Sequence, residues 1–139
     1  MTTIDDLKTS FLPFGEENTG LAEHFSGKSY LAVLTTEQVR AYNVSFEPGC
    51  RNSWHIHHAT SGGGQVLIVT AGRGWYQAWG EPARALGPGD VVNVPAGLKH
   101  WHGAAADSAF QHIALEVPGE DGRTEWLEPV SQADYDALG

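Results

Sequence analysis

Gly87-Pro-Gly-Asp-Val91-Val-Asn-Val94-Pro95-Ala-Gly97-Leu-Lys-His100-Trp-His102 places two Gly/Pro turns on either side of a four-residue valine-rich run, and a second run opens straight after. The breaks stand too close together for a helix between them, and runs this short, bounded by turn residues, read as β-strands. The same texture extends in both directions. Strands are expected at about Tyr30–Leu34, Gln38–Phe46, Ser53–His57, Gln65–Thr70 and Gly74–Trp79. Five more follow, at Ala83–Leu86, Val91–Val94, Lys99–Gly103, Phe110–Val117 and Thr124–Leu127. Turns fall at Glu47-Pro-Gly49, Ala71-Gly72, Gly80-Glu-Pro82 and Pro118-Gly119. Many short strands at regular spacing, with no helical period between them, predict an all-β antiparallel sandwich or jelly-roll barrel.

Helices are expected only at the ends. Thr3–Ser10 fits one or two helical turns capped by Thr2 or Thr3, and Ser131 opens a capped C-terminal helix over 131–139. This divides the chain into an N-terminal extension packing on the barrel (1–29), the barrel (30–130) and the closing helix. At 139 residues, 41% hydrophobic and 18% charged, the chain is one domain's length and too apolar for disorder. A formal charge of −9, with only 8 cationic side chains, excludes nucleic acid as a partner. One cysteine, Cys50, excludes an intrachain disulfide framework or a cysteine-rich metal site. No apolar run is long enough to cross a bilayer, and the start lacks a secretion signal, so a cytoplasmic protein with no membrane partner is expected.

Six of the seven histidines lie between positions 55 and 112. His55 and His57 stand two apart on one expected strand, and His100 and His102 repeat the arrangement on another. Each pair therefore projects from one sheet face. If both faces line the barrel interior, four imidazoles converge, a donor set suited to first-row divalent metals. Trp54 and Trp101 alternate with the histidines and should face away from the cavity, into a core or a dimer interface. Trp75 and Trp79 share one face of their strand, and Tyr76, on the opposite face, points toward the pocket. Gly62-Gly-Gly64 has neither the lysine nor the following helix of a phosphate loop and reads as a hinge for a flap over the site.

These residues resemble a known family. Gly49-Cys-Arg-Asn-Ser-Trp-His55-Ile-His57, followed by Gln65 and Gly72, resembles the first motif of the cupins. Gly89-Asp-Val-Val-Asn-Val-Pro95-Ala-Gly97-Leu-Lys-His100 resembles the second at every spacing up to the histidine. The resemblance implies the cupin double-stranded β-helix, a jelly roll with a metal inside. Three departures stand out: Gln65 replaces the usual glutamate, the His57–Gln65 loop is long, and Ala104 replaces the asparagine that ends the second motif. From about Phe46 to Tyr135 the chain is similar to small bacterial cupins that include manganese-dependent hydroxynitrile lyases and others associated with carboxymuconolactone decarboxylases.

By that resemblance His55, His57, Gln65 and His100 hold one divalent ion, with Mn²⁺ favoured and Fe²⁺, Zn²⁺, Ni²⁺ or Co²⁺ compatible. Gln65 either ligates directly or orients a water beside the ion. With a neutral amide in place of a carboxylate, a divalent site keeps a formal charge of +2 instead of +1, which favours Lewis-acid chemistry. His102 and His112 are the expected acid–base pair, with a structural role beside the metal ligands as the alternative. Arg51 is a candidate for pairing with a substrate anion or for an ion pair between sheets, and His24 and His58 are expected at the surface or an interface. The implied activity is a metal-dependent lyase or isomerase acting on a small polar organic molecule, with hydroxynitrile lyase-like cleavage as its most concrete form. An Fe²⁺ dioxygenase and a non-catalytic ligand-binding module are the alternatives. A homodimer is expected, with Tyr30–Leu34 a candidate edge or swapped strand.

Overall fold

Ten strands of three or more residues carry the chain in the computed structural model, which describes residues 1–138. They are β1 (Ser29–Thr35), β2 (Arg40–Phe46), β3 (His55–His58), β4 (Gln65–Gly72) and β5 (Gly74–Ala78). The second half supplies β6 (Arg84–Leu86), β7 (Val91–Val94), β8 (His100–Ala104), β9 (Phe110–Glu116) and β10 (Arg123–Trp126). Each lies within two residues of a strand expected from the sequence. Five two-residue bridges, at Glu16–Glu17, Phe25–Ser26, Arg51–Asn52, Ser61–Gly62 and Gly119–Glu120, carry no hydrophobic alternation and were not expected.

One six-stranded antiparallel sheet runs Glu16–Glu17, β1, β2, β9, β4, β7. The facing seven-stranded sheet runs β6, β5, β8, Arg51–Asn52, Phe25–Ser26, with β3 joining β8 to β10. Sequence-distant strands such as β2 and β9 lie side by side, with Phe110 opposite Phe46 and His112 opposite Val44. The inward faces of the two sheets meet in a core built on Val44, Phe46, Leu67, Val69, Val92, Phe110 and Ala114. At the β4–β5 corner Gly72 has φ +76°, and a Cβ there would collide with the Ala109 carbonyl. Only glycine fits so close a crossing.

Both ends cover outer surfaces. Helix α1 (Ile4–Lys8) is closed by a reciprocal capping box between Thr3 and Asp6, and its Leu7 is buried. Helix α2 (Gln132–Asp136) is capped by Ser131, whose side chain accepts from the Asp134 amide; Gly139 lies outside the described residues. Tyr135 of α2 packs with Trp54, Trp101 and Val130 in a second core behind the seven-stranded sheet. Trp54 and Trp101 thus turn away from the barrel interior, as alternation requires. Trp79 meets Trp54 edge-on on the same side, with Lys99 above both rings.

Arg51 is buried in that second layer, and its guanidinium faces away from the cavity. It donates to the Val130 carbonyl at 3.2 Å and to Gln132 Oε1 at 3.3 Å, and lies 4.2 Å from the centre of the Tyr135 ring. It pins the C-terminal helix and is not placed to meet a substrate anion. Arg51→Ala should lower unfolding stability by about 2–4 kcal/mol, since charged hydrogen bonds and a desolvated cation–π contact are lost together. A urea transition at the wild-type midpoint would contradict this role.

Candidate metal site

His55 and His57 on β3 and His100 on β8 face the same interior space, with His55 and His100 directly opposed across the strand pair. One ring nitrogen of each lies within 4.8 Å of the other two. Hydrogen bonds at the other nitrogens decide which. His55 Nδ1 lies 2.8 Å from the Ser53 carbonyl, His100 Nδ1 lies 3.0 Å from the Leu98 carbonyl, and His57 Nδ1 lies 3.2 Å from Thr124 Oγ1. A carbonyl oxygen only accepts, so Nδ1 of His55 and of His100 carries the proton, and Nε2 is left as a lone pair aimed inward. His57 Nε2 and His100 Nε2 are buried with no hydrogen-bond partner.

Gln65, the first residue of β4, flanks His57, and its buried Oε1 is likewise unpartnered. Buried polar atoms of a native protein are nearly always paired, so several unpaired polar atoms around one space suit a bound cation. Imidazole nitrogens and an amide oxygen suit a first-row divalent ion. The family resemblance grouped these four residues, and the structure clusters the three histidines with Gln65 beside His57.

Deeper in the barrel lie His102 and His112, with His112 Nε2 3.2 Å from His102 Nδ1. Asn52, from the short bridge pairing with β8, holds His102 at two points. Its Oδ1 accepts from the His102 backbone amide at 2.9 Å, which turns Nδ2 toward the ring as a donor, 3.2 Å from His102 Nε2 and 3.4 Å from His102 Nδ1. His112 Nδ1 is buried without a partner. Asn52 therefore anchors the inner imidazole pair to the strand beside it.

The five rings form a file from the barrel mouth to its base. His57 is half-buried; His55 and His100 come next, with ring centres 4.2 Å apart; His102 and His112 are innermost, 4.9 Å apart. Burial, reinforced by neighbouring imidazoles, holds His55 and His102 well below the usual imidazole range. Burial also brings His100 down to about 4 and His112 to about 3, and lowers His57 against an opposing contact from Gln65. All five are neutral at physiological pH, the form in which imidazole binds a metal.

Around the cluster, Trp126 of β10 packs on His55 with ring centres 4.7 Å apart, and His24 stacks on its other side at 4.5 Å. His58 is tied to Glu125 at 2.8 Å. Tyr76 has its ring 6.0 Å from that of His100, on the inner face its alternation predicted. The Gly62–Gly64 loop is pinned where the sequence suggested a free hinge: Ser61–Gly62 pairs with Gly119–Glu120, and at Gly64, φ +93°, a Cβ would strike the Val94 carbonyl.

Sequence reasoning did not single out Asn52, Thr124 or Trp126 as part of the site. Thr124 and Trp126 reach it through the pairing of β10 with β3, where Thr124 lies opposite His57 and Trp126 opposite His55. No local pattern announces that register. Asn52 lies three residues before His55, inside the motif, and only its contact with the backbone of β8 reveals its part.

A two-sheet antiparallel jelly roll with an imidazole cluster inside defines a class, and this chain belongs to the cupin family: residues 42–116 match its Cupin domain model. Within the family it is similar to an (R)-mandelonitrile lyase of Granulicella tundricola, 43% identical over 97 residues that cover 70% of this chain and 71% of that protein. Among solved structures, a cupin-like protein of Thermotoga maritima is 38% identical with a TM-score of 0.78, covering 91% of this chain and 94% of that one. The DMSP lyase DddQ of Ruegeria pomeroyi has a TM-score of 0.60 at 22% identity, over 90% of this chain and 60% of that one, a likeness of fold alone.

Proposed function

We propose that this cupin is a metal-dependent lyase acting on a small hydroxylated molecule, with cyanohydrin cleavage as its most concrete reaction. The observation that carries the reading is the convergence of ring nitrogens of His55, His57 and His100, with lone pairs at Nε2 of His55 and His100, beside the unpartnered Gln65 Oε1. Similarity to a mandelonitrile lyase supplies the reaction class. His55, His57, His100 and Gln65 would hold one divalent ion, Mn²⁺ by family resemblance. When bound, it would supply Lewis-acid polarisation of a substrate oxygen.

The chain's own groups then manage the proton. His102 and His112 enter neutral, joined by the contact between His112 Nε2 and His102 Nδ1, with Asn52 holding the His102 backbone. The pair takes up the substrate hydroxyl proton as the C–CN bond breaks and returns it to the departing cyanide, so the aldehyde and hydrogen cyanide leave and the pair ends neutral. Burial of both rings keeps water from competing for that proton.

Metal-loaded protein should cleave mandelonitrile to benzaldehyde and cyanide, and His102→Ala should slow it at least about 100-fold while leaving bound metal unchanged. Absence of turnover with any of Mn²⁺, Fe²⁺, Co²⁺, Ni²⁺ or Zn²⁺ would remove the lyase reading. Oxygen uptake specific to the Fe²⁺ form would replace it with a dioxygenase.

A further inference from the structure

A cavity of about 520 Å³ opens at the barrel mouth, lined by the half-buried His57 and by Thr124. Its lining also carries Arg40 at the start of β2 and Arg123 at the start of β10. The placement is unusual for this chain, which has a formal charge of −9 and only 8 cationic side chains. Lys8, Lys28, Arg73 and Lys99 are spent in surface ion pairs, and Arg51 is buried under the C-terminal helix. Among the described residues this leaves Arg40, Arg84 and Arg123 without a carboxylate at ion-pair distance, and two of those three line this one cavity.

Arg40 is hydrogen-bonded to Tyr42, and Glu116, opposite it across the β2–β9 pair, also lines the cavity and offsets its charge, which leaves Arg123 as the freer of the two cations. Asp121, near Arg123 in sequence, is turned to the Thr60 hydroxyl at 3.0 Å. Gln38 adds an amide to the same wall from a left-handed backbone, φ +63°. Such a conformation is uncommon away from glycine and recurs at ligand-contacting loops. The mouth is therefore rich in donors on a surface that otherwise repels anions, and a guanidinium fork is the side chain best matched to a carboxylate.

We propose that the cavity admits a substrate bearing a carboxylate, held by Arg123 and Arg40 while its reacting end reaches the histidine cluster. The proposal rests on the metal-site reading for where the reaction occurs, and on the arginines alone for which molecules enter. The test is calorimetric titration of mandelate against mandelamide, which share a ring and a hydroxyl, into metal-free and metal-loaded protein.

Mandelate should bind at least about tenfold more tightly than mandelamide in both forms, the difference expected for a hydrogen bond to a charged group. The double variant Arg40→Gln/Arg123→Gln should bind the two equally when metal-free, and its metal content should match wild type. Equal binding of acid and amide by wild type would overturn the proposal. So would a preference that appears only with metal and survives in the double variant, since the carboxylate would then be recognised at the ion. Failure of wild type to bind metal, with an arginine-dependent preference intact, would instead count against the lyase reading and uphold this one.

Discussion

His100→Ala protein, purified without added metal, is expected to carry less than about a tenth of the ion found in wild type. Loss of a neighbour that merely orients a metal ligand commonly weakens affinity about 10–100-fold, and removing a ligating imidazole should cost more. The structure permits a graded control. Thr124→Val keeps the shape of the residue opposite His57 but deletes the hydroxyl 3.2 Å from its Nδ1. It should weaken binding about tenfold while leaving stoichiometry near one at saturating ion. Metal analysis and equilibrium competition with a chelator measure both. Binding of Co²⁺ or Mn²⁺ should also quench Trp126, whose ring lies 4.7 Å from that of His55. Equal metal content in His100→Ala and wild type would show that the ion, if bound, sits elsewhere.

The metal-free protein should also be acid-labile, well above the pH at which its carboxylates titrate. Five imidazoles are held neutral by burial, and in the unfolded chain each takes up a proton near pH 6.5. The unfolded state thus binds more protons as pH falls below that value, and stability declines until the folded-state values are reached, about 4 for His100 and about 3 for His112. Each such histidine contributes a slope of about 1.4 kcal/mol per pH unit. From pH 6.5 to 4.5 His100 and His112 alone remove about 5 kcal/mol, a loss comparable to the whole stability of many domains. Urea unfolding across that range should show the fall, and His112→Gln should flatten it by about one proton's worth. A midpoint unchanged between pH 7 and 4.5 would refute the buried-neutral arrangement.

What the sequence disclosed, it disclosed through local rules. Turn residues and valine-rich runs placed all ten longer strands, and the two-residue period correctly sent His55, His57, His100 and His102 inward and Trp54 and Trp101 outward. The short bridges escaped because two residues contain no period. Arg51 escaped because its burial depends on Val130, Gln132 and Tyr135, some eighty positions away, whose return to the barrel no local pattern reveals. The orienting groups at Asn52 and Thr124 share that origin: both act across strands whose pairing is fixed by the closed fold. The direct contact of His102 with His112 was not legible either, because it crosses from one sheet to the other.

The neighbouring side chains of Arg51 and Asn52 point to opposite sides of one short bridge, one gripping α2 and the other His102. One two-residue bridge therefore ties the seat of the C-terminal helix to the imidazoles inside the barrel, through backbone that the two side chains share.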